Sequence, residues 1–392
     1  MKVIFVSNYL PEKYLEQHSF FAKTVLSSAI QKMDGLIIKG LIENGIENLS
    51  LISYPPISKS NCNESKMNRF ERNDNCKIVV VKALNKPILR NVITYKEIKK
   101  EIMRQSKNED VIILLDALNP TSMMATIDAA KKLKIKVIGI ITDVNGIRAK
   151  ITNEKQGLKQ FLACKLGFKY QTKCDGYVFL TEQMNSLINI RNKPYCVVEG
   201  MCDLGTLEKD KKINKNRVIM YAGSLHKIYG IPLLVKAFIE GKFENAILEI
   251  YGEGDYSEEL ENICKSYKNI IYKGVVNNSQ IVKREREVDL LVNPRPTDET
   301  FTLYSFPSKT IEYMVSGTPV ISSKLPGIPK EYFDYIYSFD EISAEGIKKV
   351  LEDVLSLSDE ELLSKGKEAR SFVINHKNYI KQTKPIADLL RL

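Results

Sequence analysis

Short apolar runs alternate along the whole chain with longer stretches in which apolar positions recur every three or four residues. The runs predict strands at residues 2–7, 48–53, 77–83, 111–115, 136–141, 176–180 and 195–199. In the second half they predict strands at 218–221, 247–251, 270–272, 290–292 and 319–322. The helical period predicts helices at 20–44, 122–133, 231–239, 257–265, 308–316 and 360–374. A last helix within 375–392 would carry Ile380, Thr383, Ile386, Ala387 and Leu390 on one face. Strand–helix alternation argues for parallel sheets covered on both faces, and two runs of it for two Rossmann-like domains. The expected fold class is therefore α/β.

The break falls where apolar period is lost. DLGTLEKDKKINKNR, residues 203–217, reads as a linker. The expected division is an N-terminal domain 1–200, a linker 201–216 and a C-terminal domain 217–374. A second polar stretch, SKSNCNESKMNRFERNDN at 58–75, is too hydrophilic for a core and is expected as an exposed, mobile loop. The length of 392 residues accommodates two or three domains, at ~100–200 residues each. Apolar residues at 44% and charged residues at 27% exclude collagen-like and broadly disordered chains. No apolar run approaches the ~20 residues of a spanning helix. The opening MKVIFVSNYLPEKY reads as a first strand rather than a signal peptide, so a cytoplasmic location is expected. Seven cysteines, odd in number and without C-x-x-C spacing, read as reduced thiols rather than a zinc or redox site.

Charge changes the picture once it is split. Residues 1–200 hold 31 Lys+Arg against 19 Asp+Glu, and residues 201–392 hold 27 against 29. All the excess of the +10 chain sits in the first half, which would face something anionic. No zinc-finger spacing, aromatic RNA-binding run or basic-plus-heptad pattern accompanies it, so nucleic acid is not the expected partner and an anionic membrane surface is. A well-solvated lysine-rich surface is the plain alternative.

Three segments could carry chemistry. In YSFPSKTIEYMVSGTPV, Ser308 is expected as N-cap of a helix that stops at Gly317. Its N-terminus, with Lys309 beside it, would be a phosphate site, and Glu312 one turn on could accept hydrogen bonds from ribose hydroxyls. An ordinary capped helix with a surface Lys and Glu fits the same residues. In YAGSLHKIYG, a strand runs into Gly223 and Ser224, and Lys227 could reach a diphosphate. His226 could join that loop. In IYGEGD and YKGVV, Gly252, Gly254 and Gly274 each follow a strand, where they could admit a nucleobase edge or simply make turns.

These blocks, with LEIYGEGDYSEELE, DLLVNPR and above all SFPSKTIEYMVSGTPVI, closely resemble the nucleotide-binding domain of family 4 glycosyltransferases of the GT-B fold, over roughly residues 218–330. The first half matches more loosely, through YVFLT at 177–181 and VVEGMCD at 197–203. The resemblance implies two Rossmann-like domains facing across a cleft and a C-terminal helix, about 375–392, returning to the first domain. It implies retaining, metal-independent transfer from a nucleotide-diphosphate sugar, UDP-sugar favoured and GDP-sugar possible, with no permanently bound cofactor. The sequence holds no Asp-x-Asp. The diphosphate would be met by Lys227, Lys309 and the helix N-terminus at Ser308, with Gly223, Ser224, Gly252, Val275, Tyr304 and Glu312 completing the nucleotide site. Glu312 matches the second Glu of the family's Glu-x7-Glu motif.

The departures are specific. Tyr304 stands where that motif has its first Glu, and Ser224 where the family has an Arg. SNYLPEKYLEQHSFF replaces a Gly-Gly loop. The family's His after the fourth strand is missing, and Asp116 and Asn119 stand in its region. Asp116 is the third expected catalytic group, and Asn8, His18, Asn119 and Asp143 are the further candidates of the first domain. Two basic segments, 85–107 and 157–170, are expected to be amphipathic and to rest either on anionic headgroups or on their own sheet. The expected function is transfer to a lipid-linked glycan at the cytoplasmic membrane face, in bacterial capsule or exopolysaccharide assembly. The alternatives are a non-catalytic partner subunit of an active enzyme and a nucleotide-sugar epimerase.

Overall fold

Residues 1–18, 29–58, 62–73, 75–147, 157–205, 213–297 and 300–392 are described in the computed structural model. Two compact units divide the chain. Met1–Met201 and Tyr379–Leu392 form unit 1, and Cys202–Asn378 form unit 2.

In unit 1 the strands are β1 (Lys2–Ser7), β2 (Leu49–Ser53), β3 (Lys66–Met67), β4 (Phe70–Asn73), β5 (Lys77–Val80), β6 (Ala83–Leu84), β7 (Val111–Asp116), β8 (Val137–Ile141), β9 (Gly176–Phe179) and β10 (Tyr195–Val197). Eight of them form one sheet in the order β10-β9-β8-β7-β1-β2-β5-β4, parallel except for β4 against β5. Strands β2, β7, β8 and β9 are buried at every residue. A parallel strand covered by helices on both faces has no solvent side, which is why these segments read as unbroken apolar runs. The helices are α1 (Glu12–Glu16), α2 (Ala29–Glu43), α3 (Pro87–Gln105), α4 (Pro120–Leu133), α5 (Leu158–Gln171) and α6 (Gln183–Ile188). The first part of the helix expected at 20–44 lies outside the described residues.

The final helix, Tyr379–Leu390, packs on α2. A Cβ at Gly40 would fall 2.1 Å from Thr383 Oγ1 and 2.6 Å from the Tyr379 carbonyl oxygen. Only a glycine lets the two helices approach so closely. Asn44 Nδ2 then donates to the carbonyls of Gly40 and Ile380, 2.8 Å each. Thr383, Ile386, Ala387 and Leu390 are buried.

Most described residues of the segment 58–75 are exposed, as expected, but the segment is not loop throughout. It carries β3 and β4, and Cys62 and Met67 are buried with Leu10, Tyr14, Ile57 and Val80 in a small separate core. Two buried residues five positions apart anchor an otherwise polar stretch, so its composition hid its packing.

Unit 2 has one parallel sheet, β11 (Arg217–Ala222), β12 (Ala246–Tyr251), β13 (Ile270–Tyr272), β14 (Leu290–Asn293), β15 (Val320–Ser323) and β16 (Tyr337–Phe339), in the order β13-β12-β11-β14-β15-β16. Its helices are α7 (Ile231–Gly241), α8 (Ser257–Ser266), α9 (Asn278–Glu285), α10 (Ser308–Ser316), α11 (Ala344–Leu355) and α12 (Asp359–His376). The buried Asp289 carboxylate accepts the Asn214 N–H at 2.9 Å and the Val218 N–H at 2.7 Å. The stretch just before β11 is thereby pinned to the start of β14.

Candidate functional site

Ligands of parallel α/β sheets bind outside the carboxyl ends of the strands. In unit 2 those ends belong to the loops after β11, β12 and β14 and to the N-terminus of α10.

The loops after β11 and β12 interlock through their backbones. Gly223 N–H donates to Tyr251 O at 3.0 Å, and Leu225 N–H to Glu253 O at 2.8 Å. A Cβ at Gly252 would lie 1.8 Å from Gly223 O, and Gly252 has φ +123, a region hostile to L side chains. A Cβ at Gly254 would fall 2.3 Å from the Leu225 carbonyl carbon. Both glycines are therefore required by contact with the neighbouring loop. Gly274 differs: it has φ +64 with open space around its missing Cβ, and its carbonyl accepts the Gly252 N–H at 2.8 Å. Val275 beside it is 66% exposed, an apolar surface on the loop after β13.

Helix α10 is fastened to the end of β11. Tyr313, fully buried, donates its hydroxyl to Ala222 O at 3.2 Å and accepts the Ala222 N–H at 3.1 Å. Burial keeps that phenol well above its usual range, so it stays a neutral bridge. The expected N-cap is corrected here. Pro307, with φ −75 and ψ 102, holds the N-cap position and Ser308 is the first helical residue, exposed. Proline suits this extended position and offers no side-chain acceptor, so no side chain caps the helix. The stem of Lys309 lies over Gly223, with Cε 3.2 Å from where a Cβ would stand. Its Nζ is 5.9 Å from the Tyr313 ring centroid. The structure thus brings Gly223, Gly252, Lys309 and Tyr313 together, with Ser224 closing the loop by accepting the Tyr221 hydroxyl at 2.9 Å. Glu312 lies one turn into α10, half-buried, and Tyr304 ends the short turn Thr300–Tyr304 ahead of it, also half-buried.

Lys227 is placed otherwise. Its ammonium pairs with Glu259 at 2.7 Å, its backbone N–H donates to Asp255 at 2.7 Å, and the Glu259 hydrogen bond raises its pKa. His226 is exposed, 3.6 Å from Asp255. Sequence reasoning missed Arg295, which follows β14. Its guanidinium lies 4.7 Å from the Tyr229 ring centroid and 5.3 Å from that of Phe301. Gly230, with φ +82, makes room for that loop, since its Cβ would fall 2.1 Å from Pro294 O. The signal was present as an Arg in a Pro-flanked loop after a strand, but its aromatic partners are distant in sequence.

In unit 1 the expected groups other than His18 lie at or just after the carboxyl ends of the neighbouring strands β8, β7 and β1. Asp116 ends β7 and is 2% exposed, with no side-chain hydrogen-bond partner for either carboxylate oxygen among the described residues. Burial raises it to about 7, and burial together with the Asp116 charge holds Asp34 well above the carboxylate range. Asn119 caps α4, accepting the N–H groups of Thr121 at 2.9 Å and Ser122 at 3.2 Å. His18 Nδ1 is 2.5 Å from Glu64, and its ring meets Tyr14 at 4.8 Å. Asn8 and Asp143 stand at the ends of β1 and β8, half-buried. The expected amphipathic helix at 157–170 is also corrected. Phe161, Leu162 and Leu166 of α5 point to solvent, so its apolar residues are not gathered on an inward stripe.

Residues 206–372 match the model of the family described as Glycosyl transferases group 1. No curated protein matches the sequence. Among solved structures, the chain is similar over its full length to a sucrose-phosphate synthase from Thermosynechococcus elongatus, with 12% identity, 98% of that chain covered and a TM-score of 0.68. It is similar to Anabaena Alr3699/HepE in complex with UDP and glucose, with 10% identity, 100% of this chain and 99% of that one covered and a TM-score of 0.65. It is similar to WaaG, a glycosyltransferase involved in lipopolysaccharide biosynthesis, with 13% identity, 99% of both chains covered and a TM-score of 0.62. The likeness shows the fold, two Rossmann-like units of the GT-B class.

Proposed function

We propose that this chain, with a group 1 glycosyltransferase segment at 206–372, moves a sugar from a nucleotide-diphosphate sugar to a lipid-linked glycan. The observation that carries the reading is Lys309, laid over Gly223 at a helix N-terminus that no side chain caps. Backbone N–H groups and a lysine converge there on the space outside the carboxyl end of β11, and such a place suits an anion. A UDP-sugar is the favoured donor. The diphosphate would lie against Lys309 and the α10 amides, with Glu312 accepting from ribose hydroxyls and the loops of Gly252 and Val275 beside the base. Ser308 contributes its backbone amide.

In the reaction the bond between the anomeric carbon and the diphosphate oxygen breaks, and the oxygen leaves with the electron pair. Charge grows on that oxygen as the acceptor hydroxyl forms the new bond on the same face and passes its proton to the departing diphosphate oxygen. Fixed positive groups stabilise that growing charge most, which is how Lys309 and the helix amides would speed the step without a divalent ion. Lys227 would join after exchanging Glu259 for phosphate. Asp116, buried and held toward its neutral form, would not serve as the base that takes the acceptor proton. Retention, the lipid-linked acceptor, a part in surface polysaccharide assembly and a peripheral place on the cytoplasmic membrane face belong to this proposal. No helix among the described residues is long and apolar enough to cross a membrane.

Titration calorimetry with UDP tests the site. Lys309→Ala should weaken UDP at least ~tenfold, as loss of a charge-assisted contact worth about 1.5–3 kcal/mol implies, with the melting temperature unchanged. Equal affinity in wild type and variant would remove the assignment. The second reading, a non-catalytic subunit, is favoured by Tyr304 in place of a carboxylate. Donor hydrolysis by the purified single chain would exclude it.

A further inference from the structure

Helices α3, α4 and α5 pack side by side in unit 1. The orientation of α5 is fixed from within. Gln171, fully buried, donates to Ala117 O at 2.9 Å and Asp143 O at 2.8 Å and accepts the Asn145 N–H at 3.1 Å. A Cβ at Gly167 would fall 2.6 Å from Asn145 Cγ, so this side of the helix sits hard against the loop after β8. The opposite side is forced outward. It carries Phe161, Leu162 and Leu166, which are 52%, 54% and 37% exposed. No other helix among the described residues exposes three large apolar side chains. Lys165 and Lys169 are exposed among them.

The charge of this stretch has one sign. Residues 157–173 hold four lysines, 159, 165, 169 and 173, and no Asp or Glu. Helix α3, also basic, is different. It exposes two large apolar side chains, Leu89 and Val92, but its Thr94, Ile98 and Ile102 are buried, and its Glu97 and Glu101 are paired with Lys82, Arg69 and Arg104. Exposed aromatic and aliphatic side chains interleaved with unpaired-sign lysines suit the boundary between headgroups and acyl chains of an anionic bilayer. Phe and Leu enter the apolar side while lysine stems reach back to phosphates. A second copy of the chain on the same face would set lysines against lysines, which disfavours self-association.

We propose that the outward face of α5 is the surface by which this protein docks on anionic phospholipid. This rests on the reading above that the acceptor is lipid-linked, and it names the surface that meets the lipid. The test is sedimentation of the full chain with vesicles of phosphatidylcholine alone or with phosphatidylglycerol. The variants are F161S/L162S/L166S and K165E/K169E, with UDP affinity measured on the same samples. Expected is binding to the anionic vesicles only, weakened at least ~tenfold in each variant, with UDP affinity unchanged. Unchanged vesicle binding in the apolar variant overturns the proposal, as does failure of the wild type to sediment or equal binding to neutral vesicles. A wild-type dimer that the apolar variant dissolves also overturns it, making the face a self-interface. Absence of UDP binding in every sample counts against the nucleotide reading alone and leaves the vesicle result to stand.

Discussion

Asp116 is the residue whose environment makes the sharpest quantitative claim. It is 2% exposed, its oxygens have no side-chain partners among the described residues, and burial raises it to about 7. In the unfolded chain an aspartate titrates near ~3.9. Between those values the native state holds a proton that the unfolded state has lost, so stability falls as pH rises. The contribution is fully present below the unfolded value and is lost by the time pH passes about 7. One proton over roughly three units, at ~1.36 kcal/mol per unit, gives ~4 kcal/mol. Asp116→Asn keeps the volume and removes the titration. The variant should match wild type only below the unfolded value, lead it by ~1 kcal/mol at pH 4.5 and by ~4 kcal/mol at pH 8. For a unit of this size that corresponds to roughly 8–16 °C in melting temperature. The measurement is the difference in melting temperature between variant and wild type across pH 4.5–8 at constant ionic strength. A difference independent of pH, or a less stable variant at pH 8, would refute the reasoning. Asp34 is raised first by its own burial, so D34N/D116N should flatten the remaining slope.

Two other outcomes follow from the site. Gly252→Ala places a methyl group 1.8 Å from Gly223 O at φ +123, so it should destabilise unit 2 by more than ~2 kcal/mol and weaken UDP, read by urea unfolding and calorimetry. Arg295→Ala should raise the UDP dissociation constant ~tenfold while Arg295→Lys recovers part of it, if the clamped guanidinium faces the diphosphate. Equal affinity in all three proteins would leave Arg295 a packing residue.

Most of the scaffold was legible because burial on both faces writes itself as unbroken apolar runs. The strands at Lys2–Ser7 and Ile270–Tyr272 stand where the pattern put them. Helix α10 was legible at both ends, since Pro307 and Gly317 are backbone punctuation independent of context. Its cap was misread because Ser is a good capping type and only the chain path shows Pro307 in that place. Contacts between distant residues were invisible. The interlock of Gly252 with Gly223, the clamp of Arg295 by Tyr229 and Phe301, and the Asp34–Asp116 pair each join segments that no periodicity links. The outward apolar residues of α5 defeated the pattern for the opposite reason: period assumes that oil faces the core, and three of its side chains do not.

Unit 1 is assembled from two separated stretches, Met1–Met201 and Tyr379–Leu392, joined where Gly40 admits Thr383. The ribosome therefore makes all of the second unit before the helix that closes the first. Until then the apolar side of α2 stays open, and the earliest-made part of the protein is the last to reach its final stability. Expression of residues 1–201 alone should accordingly give an aggregation-prone product, whereas adding 379–392 as a separate peptide should rescue it.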